Sequence, residues 1–252
     1  MTGEEFIQAL GLPEGAIVDR RVPKTLLLEH GAATSRDRTR IRDGIEEIRW
    51  YATLKPSDAG AAAYRAEDRE YLEIAVIRMV LRSEAKSPRL IELFHRAVPY
   101  PMLLVTELGT TVAVSVAHIR RSRAQEGAWV LDGDVVRVDI DPEKDAPHVP
   151  AFSDAMPLTE QPRSDLRALY QGWMDTLGAL LAARVSGAFV TFASSERNRQ
   201  RWDALRECEA AEAEIAKLRR AAARERQMNR QIEMNLRVRE LEAEYSAARS
   251  RL

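Results

Sequence analysis

A single cysteine, Cys208, rules out any disulfide within this 252-residue chain and fits a reducing compartment. Aromatic residues are scarce, at 6%, so the core has to be built from aliphatic side chains. No stretch approaches the ~18 consecutive apolar residues of a membrane span. The start, Met1 to Leu10, places Glu4 and Glu5 where a secretory signal needs basic charge. The expectation is a cytoplasmic protein with no membrane association. Net charge is nearly absent as well, at -1, although 31% of the residues are charged. A balanced excess of this kind reads as solvated helices laced with ion pairs, not as a polyanion-binding surface.

The signatures of familiar chemistry are missing too. His30, His95, His118 and His148 stand alone, with no second ligand at metal-binding spacing, no HExxH and no CxxC. Nothing resembles a phosphate-binding glycine loop. No metal and no cofactor is expected, and His95 and His118 read as a helix residue and a strand residue with ordinary partners. Cys208 falls on a helical seam without a base beside it, which suits a small core residue better than a nucleophile. A metal-dependent nuclease needs carboxylates converging at a sheet edge. The candidates are Asp68, Glu70 and Glu73, but the downstream position reads Val80-Leu81-Arg82 and lacks the further acid.

The residues present predict an α+β fold, with a mainly antiparallel sheet, two short helices and a long helical coiled-coil-forming tail. A strand or extended arm is expected around Ala16-Ile17-Val18. A helix is expected over Ser35 to Ile48, capped by Thr34 or Ser35, with Ile41, Ile45 and Ile48 on one stripe. Asp37 and Asp43 are placed to pair with Arg36, Arg38, Arg40 and Arg42. Trp50 to Leu54 reads as a strand, Ser57 to Ala66 as a loop, and Tyr71 to Leu81 as a central strand. Ser87-Pro88 opens a second helix, with Leu90, Ile91, Phe94 and Val98 apolar. Met102 to Leu108 and Thr111 to His118 form a hairpin, and a weaker one spans Trp129 to Ile140 around Asp132-Gly133. The domain expectation is a head at 1–140, a proline-rich linker at 141–163 and a helical region at 164–252.

From Ser195 onward there is neither proline nor glycine. Ala204, Cys208, Ala211, Ile215, Leu218 and Ala222 keep a 4-3 spacing, as do Met234, Val238, Leu241, Tyr245, Ala248 and Leu252. The pattern predicts one continuous helix that finds a helical partner, either in Ser164 to Ser186 or in another chain. The two runs are out of phase across a polar break, Arg224 to Gln231. Glu225, Asn229 and Glu233 are expected on one face there, beside Arg226, Arg230 and Asn235, as a partner-binding surface. Arg219, Arg220 and Arg224 are the candidates for nucleic-acid contact.

Leu12-Pro13, Val22-Pro23-Lys24, Ile45 to Trp50, Lys55-Pro56, Val98-Pro99-Tyr100-Pro101 and the segment Arg224 to Leu241 occur in that order. Together they resemble the bacterial family catalogued as Domain of Unknown Function 4391. The resemblance implies a family without an assigned activity, whose members are encoded beside helicases and DNA methyltransferases in mobile or defence loci. The resulting expectation is a non-enzymatic adaptor or assembly subunit, accessory to a DNA-modification or phage-defence complex. Its partner would be a protein such as a helicase or methyltransferase, and the tail would allow a homo-oligomer. The alternatives are a metal-dependent nuclease-like enzyme and a DNA-binding subunit using the tail arginines.

Overall fold

Aliphatic residues run almost unbroken from Ile74 to Leu81, and this strand (β5) is the centre of a six-stranded mixed sheet. The computed structural model describes residues 2–30, 34–125, 127–141 and 143–252. Two units are distinguished, Met1–Leu177 and Gly178–Leu252. The sheet belongs to the first. It is completed by β1 (Ile17–Arg21), β2 (Ile45–Leu54), β6 (Met102–Leu108), β7 (Thr111–Val116) and β10 (Val136–Ile140), in the order β1-β2-β5-β6-β7-β10. Four of the five pairings are antiparallel and β5 with β6 is parallel. Parallel strands require a crossover, and helix α5 (Ser87–Ala97) supplies it.

One face of the sheet carries the aliphatic core. Leu90, Ile91 and Phe94 of α5 pack with Ala75, Ile77, Met79 and Leu81 of β5 and with Met102 and Leu104 of β6. Helices α2 (Lys24–His30) and α3 (Ser35–Gly44) add Leu27 and Ile41 to the same cluster. The expected Ser35 to Ile48 helix stops at Gly44, and strand β2 begins at Ile45. A bulge between Ile45 and Glu47 shifts the register against β5. That slip lets Ile45 and Ile48, an odd number of residues apart, both face the core. The spacing therefore looked helical while serving a strand. Thr34 does cap α3, accepting from the Asp37 amide at 3.1 Å, and Asp37 pairs with Arg40 and Asp43 with Arg42.

The opposite face is covered by a short helix for which no expectation stands above. Helix α1 (Gly3–Ala9) opens on a capping box in which Thr2 and Glu5 exchange hydrogen bonds. Gly3 lies over Glu107 so closely that an added Cβ would sit 2.5 Å from its Oε1. Phe6 stacks on Phe152, with centroids 6.3 Å apart. Phe152 belongs to α6 (Val149–Ala155), so the stretch 141–163 contains a helix and a buried aromatic; Pro142 lies outside the described residues.

Other details depart from expectation. The first unit holds more than two short helices, since α4 (Pro56–Ala59) also forms where a loop was expected. Tyr71 is not part of the central strand. It ends β4 (Glu70–Tyr71), which pairs with β3 (Tyr64–Arg65) in a separate two-stranded ribbon. Trp129 to Ile140 is not a hairpin either. β9 (Trp129–Leu131) pairs back with β8 (Ile119–Arg121), while β10 joins β7. Asp132, at the turn, is held by Arg69 at 2.9 Å and Arg120 at 3.5 Å, which keeps β9 with β8.

Helix α7 (Leu166–Ser186) begins in the first unit and ends in the second. The rest of the second unit is α8 (Ser195–Ala222) and α9 (Met228–Arg249). The tail is thus not one continuous helix. It turns at 223–227, and α9 runs back antiparallel along α8. Ile215, Val238 and Leu241 form a core with Leu218 against it, and Cys208 Sγ lies 4.0 Å from the Tyr245 carbonyl oxygen. The two heptad runs meet each other. No glycine or proline marks the turn, because side chains do the work instead. Glu225 accepts from the amides of Arg226 (2.7 Å) and Gln227 (2.9 Å), and Gln231 donates to the Ala222 carbonyl oxygen at 3.2 Å. Near the start of α8, Arg197 and Arg201 lie over the Phe192 ring at 4.0 and 4.1 Å.

Candidate partner-binding surface

The polar segment singled out in the tail is the turn of the α8–α9 hairpin. Glu225 lies in the turn itself, so it does not continue the face that Asn229 and Glu233 share on α9. Its carboxylate is committed to capping, and those two amides hold its pKa below the ordinary value. Arg226, Asn229, Arg230, Glu233 and Asn235 are all exposed. Of the three nucleic-acid candidates, Arg219 is paired with Glu242 at 2.6 Å across the hairpin. Arg220 donates to its own helix at Ala216, and Arg224 is exposed. Among the described residues Arg220, Arg224, Arg226, Arg230 and Arg239 make no ion pair.

Two features of α8 and α9 were not anticipated. Met228, Ile232 and Leu236 are 74%, 51% and 53% exposed, an apolar line at four-residue steps on the outer side of α9. The signal was visible in the sequence but hidden by the stronger inner run of Val238, Leu241 and Ala248. A groove of about 290 Å³ also opens on the hairpin, lined by Ile215, Ala216 and Tyr245 and edged by Glu212, Glu242 and Arg219.

The first unit has two polar features of its own. A cleft of about 390 Å³ lies where Arg21, Val22, Pro23 and Lys24 meet Glu46, Glu47 and Ile48. Lys24 Nζ donates to the Ile45 carbonyl oxygen. Burial, then Arg82 and Arg21, pushes its pKa down. The second feature is a directed chain of hydrogen bonds centred on His118. His118 Nε2 donates to Gln171 Oε1 at 2.7 Å, and Gln171 Nε2 donates to Asp175 Oδ1 at 2.9 Å. The other ring nitrogen, Nδ1, then accepts from the Tyr71 hydroxyl. Burial lowers the His118 pKa and raises that of Tyr71, so both are neutral around pH 7. Tyr170 rests edge-on against the His118 ring at 5.5 Å and bonds the Met102 and Ala117 carbonyl oxygens. This hub ties β4, the end of β7 and α7 together. A Gln and an Asp four residues apart on one helix were the only sequence trace of it.

The remaining candidates have structural partners. His95 is buried and bonds Ser115 at 2.9 Å. Cys208 is buried at the hairpin seam, and that burial raises its thiol pKa. The side chain of His30 lies outside the described residues. Glu70 is engaged by Arg121 and Arg65, and Asp68 by Arg69. Among the described residues no three His, Cys, Asp or Glu side chains are grouped to hold a metal, so Asp68, Glu70 and Glu73 do not form a ligand set. No helix among them is long and apolar enough to cross a membrane.

Comparison with curated proteins and with solved structures returns no match. The family described as Domain of unknown function (DUF4391) matches residues 10–244, nearly the whole chain, and the protein belongs to it.

Proposed function

We propose that the chain is a non-enzymatic binding subunit, an adaptor that engages an anionic partner surface through the turn of its helical hairpin. The observation that carries the reading is the cation cluster at the turn: Lys217 and Arg219 are paired with Glu214 and Glu242, whereas among the described residues Arg220, Arg224, Arg226 and Arg230 make no ion pair. Between Lys217 and Arg230 six cations face one carboxylate, Glu225, and that carboxylate is occupied by backbone amides. Like charges within a turn or two of helix repel one another by a few tenths of a kcal/mol per pair, roughly 0.2–0.5. An opposed acidic surface removes that cost and steers association. Helix pairing of the coiled-coil type, with the same chain or another, would give the assembly its stem. The family resemblance supports a DNA-modification or phage-defence complex, with a helicase or methyltransferase as the protein partner in the cytoplasm.

The test is the double substitution Asn229→Ala and Arg230→Ala in a chain recovered with its native partner. Binding measured by titration calorimetry is expected to weaken while helicity is unchanged. Indifference to the change would remove the turn from the interface.

The same unpaired arginines support a second reading, contact with a nucleic-acid backbone. Affinity for a short DNA duplex that falls steeply with salt would favour it, because released counterions make such binding salt-dependent. The nuclease alternative draws no comparable support, since Asp68 and Glu70 are spent on neighbouring arginines.

A further inference from the structure

A lysine amine lines the cleft between the end of β1 and the start of β2. Lys24, at the first position of α2, turns its Nζ onto the Ile45 carbonyl oxygen, just beyond the last turn of α3. The Arg82 guanidinium lies two residues back along the same bend and donates to the Asp43 carbonyl oxygen at 3.1 Å. The Arg82 amide bonds the Gly44 carbonyl oxygen between them at 2.9 Å. Arg21 lines the cleft beside Lys24. Cations suit the free carbonyls that end a helix, but here three of them crowd together. Among the described residues neither Lys24 nor Arg21 makes an ion pair. Glu46 and Asp43 oppose the crowding only in part, and the Lys24 pKa is lowered, by burial first and then by Arg82 and Arg21. A lysine amine beside other cations is activated as a nucleophile in this way.

We infer that Lys24 is an acylation site, modified by small anionic acyl donors of the acyl phosphate class. The cleft, at about 390 Å³, has room for such a donor. The hydrogen bond to Ile45 uses one N–H of Lys24 and, once the amine is neutral, leaves its lone pair for a carbonyl carbon. Arg21 and Arg82 supply the guanidinium forks that suit phosphoryl oxygens. In the step itself the lone pair attacks the acyl carbon, the N–C bond forms and the C–O bond to phosphate breaks. Phosphate departs with the bonding pair and carries off the proton that the nitrogen gives up. The amide product keeps one N–H for the Ile45 carbonyl oxygen, so the bend stays closed while the positive charge is lost. Arg21 and Lys24 balance Glu46 and Glu47 on the cleft wall before the step, and the two acids outweigh Arg21 after it. The modification is therefore a charge switch on the first unit, and it rests on neither the adaptor reading nor the arginine turn. The other lysines lack this setting: Lys144 and Lys217 are tied to Asp141 and Glu214, and Lys55 is exposed.

The chain carries its own controls, because its five lysines, Lys24, Lys55, Lys86, Lys144 and Lys217, fall on separate peptides after cleavage at arginine. The full chain is incubated with acetyl phosphate at neutral pH, and acetylation is read at each lysine by mass spectrometry. Lys24 is expected to gain label several-fold faster than the other four. It should lose that lead in urea, where the cleft is absent, and inorganic phosphate should protect it and spare the rest. Uncharged acetic anhydride separates holding of the anion from basicity alone. The ratio of Lys24 labelling by acetyl phosphate to labelling by the anhydride should fall in Arg21→Gln and in Arg82→Gln. Arg21 is exposed, so Arg21→Gln keeps the test open even where Arg82→Gln fails to fold. A Lys24 rate no higher than that of Lys55, a lead that survives urea, or a ratio unchanged in folded Arg21→Gln would each overturn the proposal.

Discussion

Among the described residues Tyr71 donates the one hydrogen bond given to His118 Nδ1, and that acceptor is largely enclosed. Tyr71→Phe leaves it without a donor, a loss of about 1–3 kcal/mol for a buried polar group left unsatisfied. Urea unfolding should register that loss without a change in secondary structure. His95 makes a different prediction. Burial holds its pKa down at about 3, against 6.5 when exposed. Below pH 6.5 the unfolded chain takes up a proton that the folded chain refuses, so stability falls as the pH drops from 6.5 toward 3. His95→Gln should flatten that part of the profile. Asp37 acts lower on the scale. The Arg89 guanidinium, with Thr34 and Arg40, keeps its carboxyl near 2 rather than 3.8. Its contribution is complete above about pH 4 and disappears as the pH falls through 2, a window that Asp37→Asn should abolish.

Helix α5 and its sheet were readable in advance because a single stripe, Leu90, Ile91 and Phe94, had only one sheet to cover. Phe94 is 3% exposed. Phe94→Ala should therefore cost about 3–5 kcal/mol, measurable from the shift in denaturant midpoint. Elsewhere local pattern and tertiary structure diverged for identifiable reasons. Ile41, Ile45 and Ile48 follow helical spacing, yet a bulge turns the last two into strand positions, and no periodicity encodes a bulge. Asp132-Gly133 makes a turn, but Arg69 and Arg120 decide which strand β9 joins, and both are distant in sequence. The hairpin turn at 223–227 lacked the glycine or proline that usually announces one. The twelve-residue slip between Ala222 and Met234 was the signal, since a helix folding back on itself has no need to keep heptad phase. Of the candidate surface, the arginines were legible as a cluster. Which of them lack ion pairs was not, because pairing across a hairpin, as between Arg219 and Glu242, depends on the fold-back.

The two units differ in sign. Residues 1–177 hold 23 Lys and Arg against 28 Asp and Glu, whereas 178–252 hold 15 against 11. A net charge near zero thus conceals an acidic head and a basic hairpin, and local potential governs encounter more than the sum does. The protein is expected to bind a cation-exchange resin at pH 7 and low salt despite its formal charge of -1. Replacing Arg220, Arg224, Arg226 and Arg230 with Gln should let it pass unretained. Retention of that variant equal to wild type would mean that the turn does not dominate the field.

The lone thiol also makes the hairpin its own reporter. Cys208 is covered by α9 in the closed state, and no other cysteine competes for reagent. A thiol-specific label can react only in molecules whose two helices have parted, so the labelling rate at saturating base counts opening events directly. Partner binding or self-association that clamps α9 would slow this clock, and a ligand that pries the hairpin apart would speed it, with no reporter residue engineered into the chain.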